Sequence, residues 1–380
     1  MRTKMFVGTL ASAALALAAP ITASAQGWPV APPGQAARVA ASARATSHTV
    51  TVVNRQVVAP FSLAVHKGQV YVADGGTGRI SRLVNGKLQT VATGPSTNGG
   101  DVSGLDISKN GQYLAFTSTA DESHTKTSLE IRGPFGSRVS ADLAGHEAKA
   151  NPDQKKHYGI LNPSQCVKDF FAKNADTVGP VNYYGGKDSH PYAVAAAGGQ
   201  WVVADAGGND LLRVTNAGKV STLAVLPRQA LKITPAVAAA LGGPTCLAGF
   251  TYYFEPVPTD VEVGPGGWLY VSVLAGGPES PAFGARSKVY RVNPRTGHAT
   301  RVGSNLSGAT NIALRGGKVY VAELFAGRIS VLKNGRPQTY APLAGALSVE
   351  AAGSRLWAGT LAPTDDEGKP TGPGTIVRIS

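Results

Sequence analysis

The chain has 380 residues, 43% apolar and 16% charged, with Gly 47, Pro 25 and a formal net charge of +13 at pH 7. So large an apolar fraction excludes a disordered chain, and the lack of glycine triplets and heptads excludes collagen and coiled coil. A glycine-rich chain that still buries apolar surface must turn often, so many short strands are expected. At the start, Arg2 and Lys4 precede an Ala-rich apolar run from Met5 to Ile21. Ala23-Ser24-Ala25 then forms a small-x-small cleavage signal, so residues 1–25 read as a secretory signal peptide and the protein as secreted. Pro20 breaks the run too early for an anchor, which needs about twenty unbroken apolar residues, and no transmembrane segment is expected later. Loss of Arg2 and Lys4 lowers the charge by two, to +11. With no Lys/Arg run and no recognition motif, that charge reads as scattered solubilising side chains, and no nucleic-acid partner is expected. Residues 26–47 mix Pro, Ala, Gly and Ser without strand periodicity and read as a flexible linker.

From His48 a pattern repeats. PFSLAVHKGQVYVADGGTGRISRLVNGKLQTVA (60–92), PYAVAAAGGQWVVADAGGNDLLRVTNAGKVSTLA (191–224) and TNIALRGGKVYVAELFAGRISVLKNGRPQTYA (310–341) match nearly position for position. Looser copies begin at Ser103, Pro258 and Leu347. Six units across residues 48–380 average about 55 residues, a propeller-blade length. The last unit supplies three strands and lacks an outer one, while HTVTVVNRQVVA (48–59) is a strand without a blade. Pairing the two removes both exposed edges. The expected fold is therefore all-β: a six-bladed β-propeller over residues 48–380, its last blade closed by the N-terminal strand.

Aligning the units places Asp106, Glu262 and Glu350 where the other three carry Ala64, Ala195 and Ala313, with Asp260 and Asn311 two positions earlier in their units. Carboxylates facing a crowded axis must be paired, hydrated or bound to a cation. Asp106, Glu262, Glu350, Asp260 and Asn311 are thus the candidate metal ligands, suited by their hard oxygens to a divalent cation such as calcium. The alternative is a water-filled channel with solvated carboxylates. Asp74, Asp205 and Glu323 end second strands before glycine turns, where an acid usually caps backbone N–H groups. At Asp205 the neighbouring Asn209 and Asp210 crowd in further oxygens and leave a binding role open.

Two stretches, 145–189 and 225–257, interrupt the repeat and leave the ring on the same side. Each holds one of the two cysteines, and a lone pair in an exported protein predicts a Cys166–Cys246 disulfide stapling a lid. Both stretches are rich in Phe, Tyr and His. Such rings suit either a concave site for a flat ligand or a mini-core for the two loops. Asp188, His190, Tyr192, Asp205, Asn209, Asp210 and Glu255 are the candidate ligand-binding residues at the lid base.

The run KDSHPYAVAAAGGQWVVADAGGNDLLRVTNAGKVSTLAVLP, with PVPTDVEVGPGGWLYVSVLAGG and SKVYRVNP, resembles the ScyD/ScyE family of exported bacterial propellers, and more distantly NHL-type and SMP-30 gluconolactonase-like propellers. The resemblance covers nearly the whole exported chain and is most specific at residues 188–227. It implies export and the propeller fold, and no established catalytic residues. Where relatives commonly have Asp-Ser-Asn-Pro-Tyr, this chain has Asp188-Ser189-His190-Pro191-Tyr192. Two functions follow from different classes. One is a non-catalytic binding or accessory protein, expected to be a monomer, that takes a small molecule or protein at the insertion face. The other is a divalent-cation-dependent lactonase- or lyase-like hydrolase with its site at the axis.

Overall fold

The computed structural model describes residues 48–95, 99–277, 283–365 and 369–380. The signal peptide and linker expected over 1–47 lie outside the described residues. Strand β1 (Val50–Val57) comes first, and the chain then builds a four-stranded sheet from β2 (Pro60–His66), β3 (Gln69–Asp74), β4 (Arg79–Val84) and β5 (Lys87–Thr93). A second follows in β6 (Asp101–Ile107), β7 (Leu114–Thr119), β8 (Thr127–Arg132) and β9 (Arg138–Asp142). The first insertion carries helix α1 (Leu143–Ala150), β10 (His157–Gly159), α2 (Gln165–Lys173), α3 (Ala175–Val178) and β11 (Asn182–Tyr184). The third sheet is β12 (Pro191–Ala197), β13 (Gln200–Asp205), β14 (Asp210–Val214) and β15 (Val220–Val225). The second insertion holds β16 (Gln229–Lys232), α4 (Pro235–Ala240) and β17 (Thr251–Phe254). Three more sheets complete the chain. They are β18 (Pro256–Val263) to β19 (Leu269–Ala275), β20 (Ser287–Val292) and β21 (Ala299–Leu306); β22 (Ala309–Arg315), β23 (Lys318–Glu323), β24 (Arg328–Lys333) and β25 (Arg336–Pro342); and β26 (Ala346–Ala352), β27 (Arg355–Thr360) and β28 (Gly374–Ile379).

Alternating side chains in each strand leave both faces of each sheet apolar, and the core divides accordingly. Six buried clusters lie between successive sheets. Ala73, Ile80, Leu105 and Phe116 join the first and second, for example, and Val57, Ile376, Leu63 and Val72 join the last to the first. The inner strands β2, β6, β12, β18, β22 and β26 each contact the next, and β26 returns to β2. β1 lies antiparallel beside β28, with Val50 opposite Ile379 and Val57 opposite Gly374, so the N-terminal strand completes the final sheet as its sequence predicts. Each inner strand carries a bulge near its start, as between Pro60 and Ser62 and between Ala309 and Asn311, which adds the twist a closing ring needs.

Six four-stranded sheets were expected and seven are present, because the two insertions are not loops. β11, β10, β17 and β16 form a further antiparallel sheet. It is covered by a core of Ile160, Val167, Phe171, Ile233, Val237 and Leu247, and the Cys166–Cys246 disulfide staples its two halves. Among the described residues no helix is long and apolar enough to cross a membrane.

Candidate functional site

The inner edge of an inner strand exposes backbone N–H and C=O groups that no further strand can pair. This chain satisfies many of them with side chains from the preceding sheet. Ser62 Oγ donates to the Leu105 carbonyl (3.3 Å), Thr259 Oγ1 to Ala309 (2.8 Å), Thr310 Oγ1 to Leu347 (2.7 Å) and Ser348 Oγ to Pro60 (2.6 Å), the last closing the ring. The candidate metal ligands do the complementary task. Asp106 Oδ2 accepts from Ala196 N (2.7 Å), Asp260 Oδ2 from Ile312 N (2.8 Å) and Asn311 Oδ1 from Val349 N (2.8 Å), each in the next sheet of the ring. Glu350 Oε1 accepts from the neighbouring Ala351 N at 2.7 Å.

Asp106 acts on the other three carboxylates near the axis. Burial pushes Asp106 up to about 6, against the bonds from Ala196 and Ile107, and pushes Asp260 up to about 7, with Asp106 adding repulsion. Glu262 is raised well above the usual carboxylate range by burial and by Glu350, Asp260 and Asp106; Glu350 is raised by burial and by Asp106 and Asp260. Asp106, Glu262 and Glu350 nevertheless remain half-buried rather than sealed, so water reaches them. Among the described residues, no group of three or more His, Cys, Asp or Glu is placed so that it could hold a metal ion.

At the opposite ends of the inner strands the ring is plugged. Phe61, Tyr192 and Leu347, all at bulge positions, pack with Ala59, Val257 and Leu274. Tyr192 therefore sits in this apolar plug, edge-on to Phe61 at 5.6 Å and to His190 at 4.9 Å. His190 Nε2 pairs with Asp101 Oδ2 (2.9 Å) and its ring stacks on His124 at 4.4 Å, which pairs through Nδ1 with Asp188 Oδ1 (3.0 Å). Burial pulls the His190 imidazole down, but Asp101, with Asp205 and Asp188 behind it, outweighs this and its pKa is raised.

Asp205 acts as a clamp. Its Oδ1 accepts from His190 N (2.6 Å), Gly207 N (3.1 Å) and Gly208 N (3.2 Å), and its Oδ2 from Ser189 Oγ (2.7 Å). Asp74 and Glu323 likewise accept from Ala59 N and Ser307 N, just ahead of the inner strands of their own sheets. These acids fasten the incoming chain as well as the turn. Asn209 donates to Asp153 Oδ2 (3.0 Å) and also to Glu255, which accepts from Tyr183 as well; Glu255 is pushed up to about 7 by burial and by Asp153 and Asp188. Asp210, fully buried, has no hydrogen-bond partner on either oxygen.

The structure thus brings Asp188, Asp205, Asn209, Asp210 and Glu255 into one acidic neighbourhood and adds four residues that sequence reasoning missed: Asp101, His124, Glu147 and Asp153. The last two lie in the first insertion, outside the repeat, so no alignment of units flags them. Of the lid aromatics, Phe170, Phe171, Phe250 and Tyr252 belong to the lid's own core. Tyr184 is 61% exposed and stacks on His157 at 4.6 Å. Arg228 Nη1 donates to the His157 carbonyl (2.7 Å), and its guanidinium lies 4.0 Å over the Tyr253 ring.

No family model and no curated protein matches the chain. Among solved structures it is similar to the PQQ-bound form of aldose sugar dehydrogenase from Streptomyces coelicolor, with 15% identity and TM-score 0.52 over 88% of this chain and 98% of that one. It is also similar to an oxidoreductase of the glucose dehydrogenase kind from Thermus thermophilus, with 18% identity and TM-score 0.50 over 88% and 100%. A third likeness is a protein of unknown function from Bacteroides thetaiotaomicron, with 11% identity and TM-score 0.52 over 88% and 76%. The chain is a β-propeller. At these identities the likeness extends to the propeller fold and no further.

Proposed function

We propose that this β-propeller is an exported six-bladed binding protein of the ScyD/ScyE type, its seventh sheet a lid, and that it holds a small ligand or a protein partner on the lidded face without transforming it. What supports this reading is the ledge on the lid: the stacked His157–Tyr184 pair beside the Arg228–Tyr253 pair, fixed by a hydrogen bond and carried on a disulfide-stapled unit with its own core. Rigid rings and a guanidinium already in place bind a flat or anionic group at little ordering cost. Six blades fit the six core clusters between successive sheets and the ring of six inner strands, with the insertion sheet standing apart in sequence from every repeat unit. Native mass spectrometry of the secreted protein tests this. A co-purifying ligand or partner retained by the wild type and lost by Tyr184→Ala supports it; retention by that variant refutes the ledge.

A second reading, a divalent-cation-dependent lactonase- or lyase-like hydrolase, is favoured by one observation. Burial raises all four of Asp106, Asp260, Glu262 and Glu350, and Asp106 raises the other three further, while Asp106, Glu262 and Glu350 stay in reach of water. Groups poised near neutral pH suit acid–base work. Calcium-dependent lactone hydrolysis abolished by Glu262→Gln would establish it over the binding reading.

A further inference from the structure

A second acidic cluster lies at the junction between the first insertion and the third blade, away from the axial carboxylates. Glu147 comes from α1, Asp153 from the segment after it, and Asn209 and Asp210 from the turn into β14. All four are almost completely buried, with relative exposures of 3%, 0%, 2% and 1%. Their oxygens are short of donors: Glu147 Oε1, Asp153 Oδ1, Asn209 Oδ1 and both oxygens of Asp210 accept no hydrogen bond, nor does Oδ1 of the nearby Asn151. Asp205 in the same neighbourhood is unlike them, because four donors already satisfy it.

Gly208 keeps the space between these groups open. A Cβ there would lie 3.3 Å from Asp210 Oδ1, 3.4 Å from Glu147 Oε2 and 3.6 Å from the Asp205 carboxyl carbon, so carboxylates from α1, β13 and β14 face one small volume. Repulsion from Asp205, Glu147 and Asp153 adds to burial in raising Asp210 well above the usual range, and burial with Asp205, Asp153 and Asp188 pushes Glu147 up to about 8. Of the bases nearby, Lys156 acts on Asp153, and His146 and His190 feel Asp205. Buried oxygens that lack donors are costly unless a proton or a cation meets them.

We propose that this cluster is a calcium site that fastens the lid to the third blade, with Asp210, Glu147, Asp153 and the Asn209 amide oxygen as its protein ligands. The donor set is all oxygen, with no imidazole or thiolate, which selects a hard cation, and its number and irregular arrangement suit calcium better than the strict octahedron of magnesium. As the side chains stand, no three acids among the described residues are placed to hold a metal ion, so binding requires Glu147, Asp153 and Asp210 to turn toward the space beside Gly208 as the ion enters. Because two ligands come from the insertion and two from the blade, the ion ties the lid to the ring, whereas the disulfide ties one insertion to the other.

The test uses the full exported chain stripped with chelator, thermal unfolding followed with and without calcium chloride, and isothermal titration with calcium alone and with magnesium alone. The expected result is a saturable rise in Tm, one calcium per chain at this site, and weaker magnesium binding. Asp210→Asn should weaken calcium binding by at least roughly tenfold, while Glu262→Gln, at the axis, leaves it intact. The chelated Asp210→Asn protein should melt no lower than chelated wild type, because asparagine neither takes up a proton nor buries a charge there. If Asp210→Asn does not fold, Glu147→Gln carries the same expectation. Binding that survives these changes but disappears in Glu262→Gln places the ion at the axis and overturns the proposal. So does the absence of saturable binding, which would mean that protons neutralise the cluster. Either result leaves the ledge reading to stand or fall by Tyr184→Ala.

Discussion

Removing the lid disulfide is the sharpest test of how the insertions are held. Cys166 and Cys246 are 80 residues apart in sequence, and the loop they close contains the whole sheet β12 to β15, as well as most of both insertions. Loop-closure entropy for a cross-link of that span comes to about 4.5 kcal/mol at 25 °C, and residual structure in the unfolded chain brings the expected effect to about 2–4.5 kcal/mol. Cys166 is exposed and Cys246 half-buried, so serine at both positions adds little burial penalty of its own. Urea unfolding of the oxidised protein and of the Cys166→Ser/Cys246→Ser variant measures the difference, which should appear as a lower midpoint with a larger m-value, since the unfolded chain without the cross-link is more expanded. Hydrogen exchange over residues 157–184 and 229–254 localises it. A difference below about 0.5 kcal/mol with unchanged exchange would refute the reasoning, since the lid would then be held entirely by its own core and its contacts with the blade.

Stability should also fall as pH rises. Asp106, Asp260 and Glu255 are pushed up to about 6, 7 and 7, so the folded chain holds protons that the unfolded chain has released. Their contribution is full below about pH 4 and is lost on climbing through about pH 6–7. Asp106 alone accounts for about 2 kcal/mol after allowing for its contact with water. Denaturation in chelator at pH 5 and pH 8 should show the loss, and Asp106→Asn should reduce it; a curve that rises over this range sinks the assignment. Gly104→Ala places a Cβ 2.7 Å from the Ala193 Cα and 2.8 Å from its carbonyl carbon, so backbone must move, at a cost of about 1–3 kcal/mol by urea unfolding. Ser348→Ala removes the buried hydroxyl bond to the Pro60 carbonyl at the ring closure and should cost about 1 kcal/mol, with faster exchange along β1 and β2.

The repeat was legible because each inner strand meets the same constraints. A bulge, a small residue at the crowded step, a hairpin with glycine and an acid at the end of the second strand recur wherever the ring demands them. The pairing of β1 with β28 followed from counting strands and from the need to remove edges. The disulfide followed from two cysteines in two interruptions on one side. Less legible was the lid, where three- and four-residue strands such as His157–Gly159 and Thr251–Phe254 are too short for alternation to show. Glu147 and Asp153 were invisible for a related reason: outside a repeat, an acid in a polar segment looks like any solvated acid, and only burial without donors sets it apart. Asp101 and His124 pair with His190 and Asp188 across 89 and 64 residues, a separation that local pattern does not report.

The chain has two sets of crowded carboxylates, and hydrogen bonding separates what they do. Asp106 and Asp260 spend an oxygen each on an inner-strand N–H of the next blade, and Asn311, an amide at the position equivalent to Asp260, does the same without a charge. Charge is therefore not needed for the clamp at 260, and the acid there calls for a reason beyond architecture, as does Glu262, which no backbone group among the described residues engages. The lid junction shows the contrast more sharply. Asp210 ends no clamp and caps no turn, while Asp205, five residues earlier, already fastens the turn with both oxygens. A fold that needed only a packed turn would be better served by an apolar or amide side chain at 210, because a buried carboxylate without donors lowers stability unless something positive meets it. Chelated Asp210→Asn is therefore the decisive comparison. If it melts above chelated wild type and no longer responds to calcium, the acid is there for the ion.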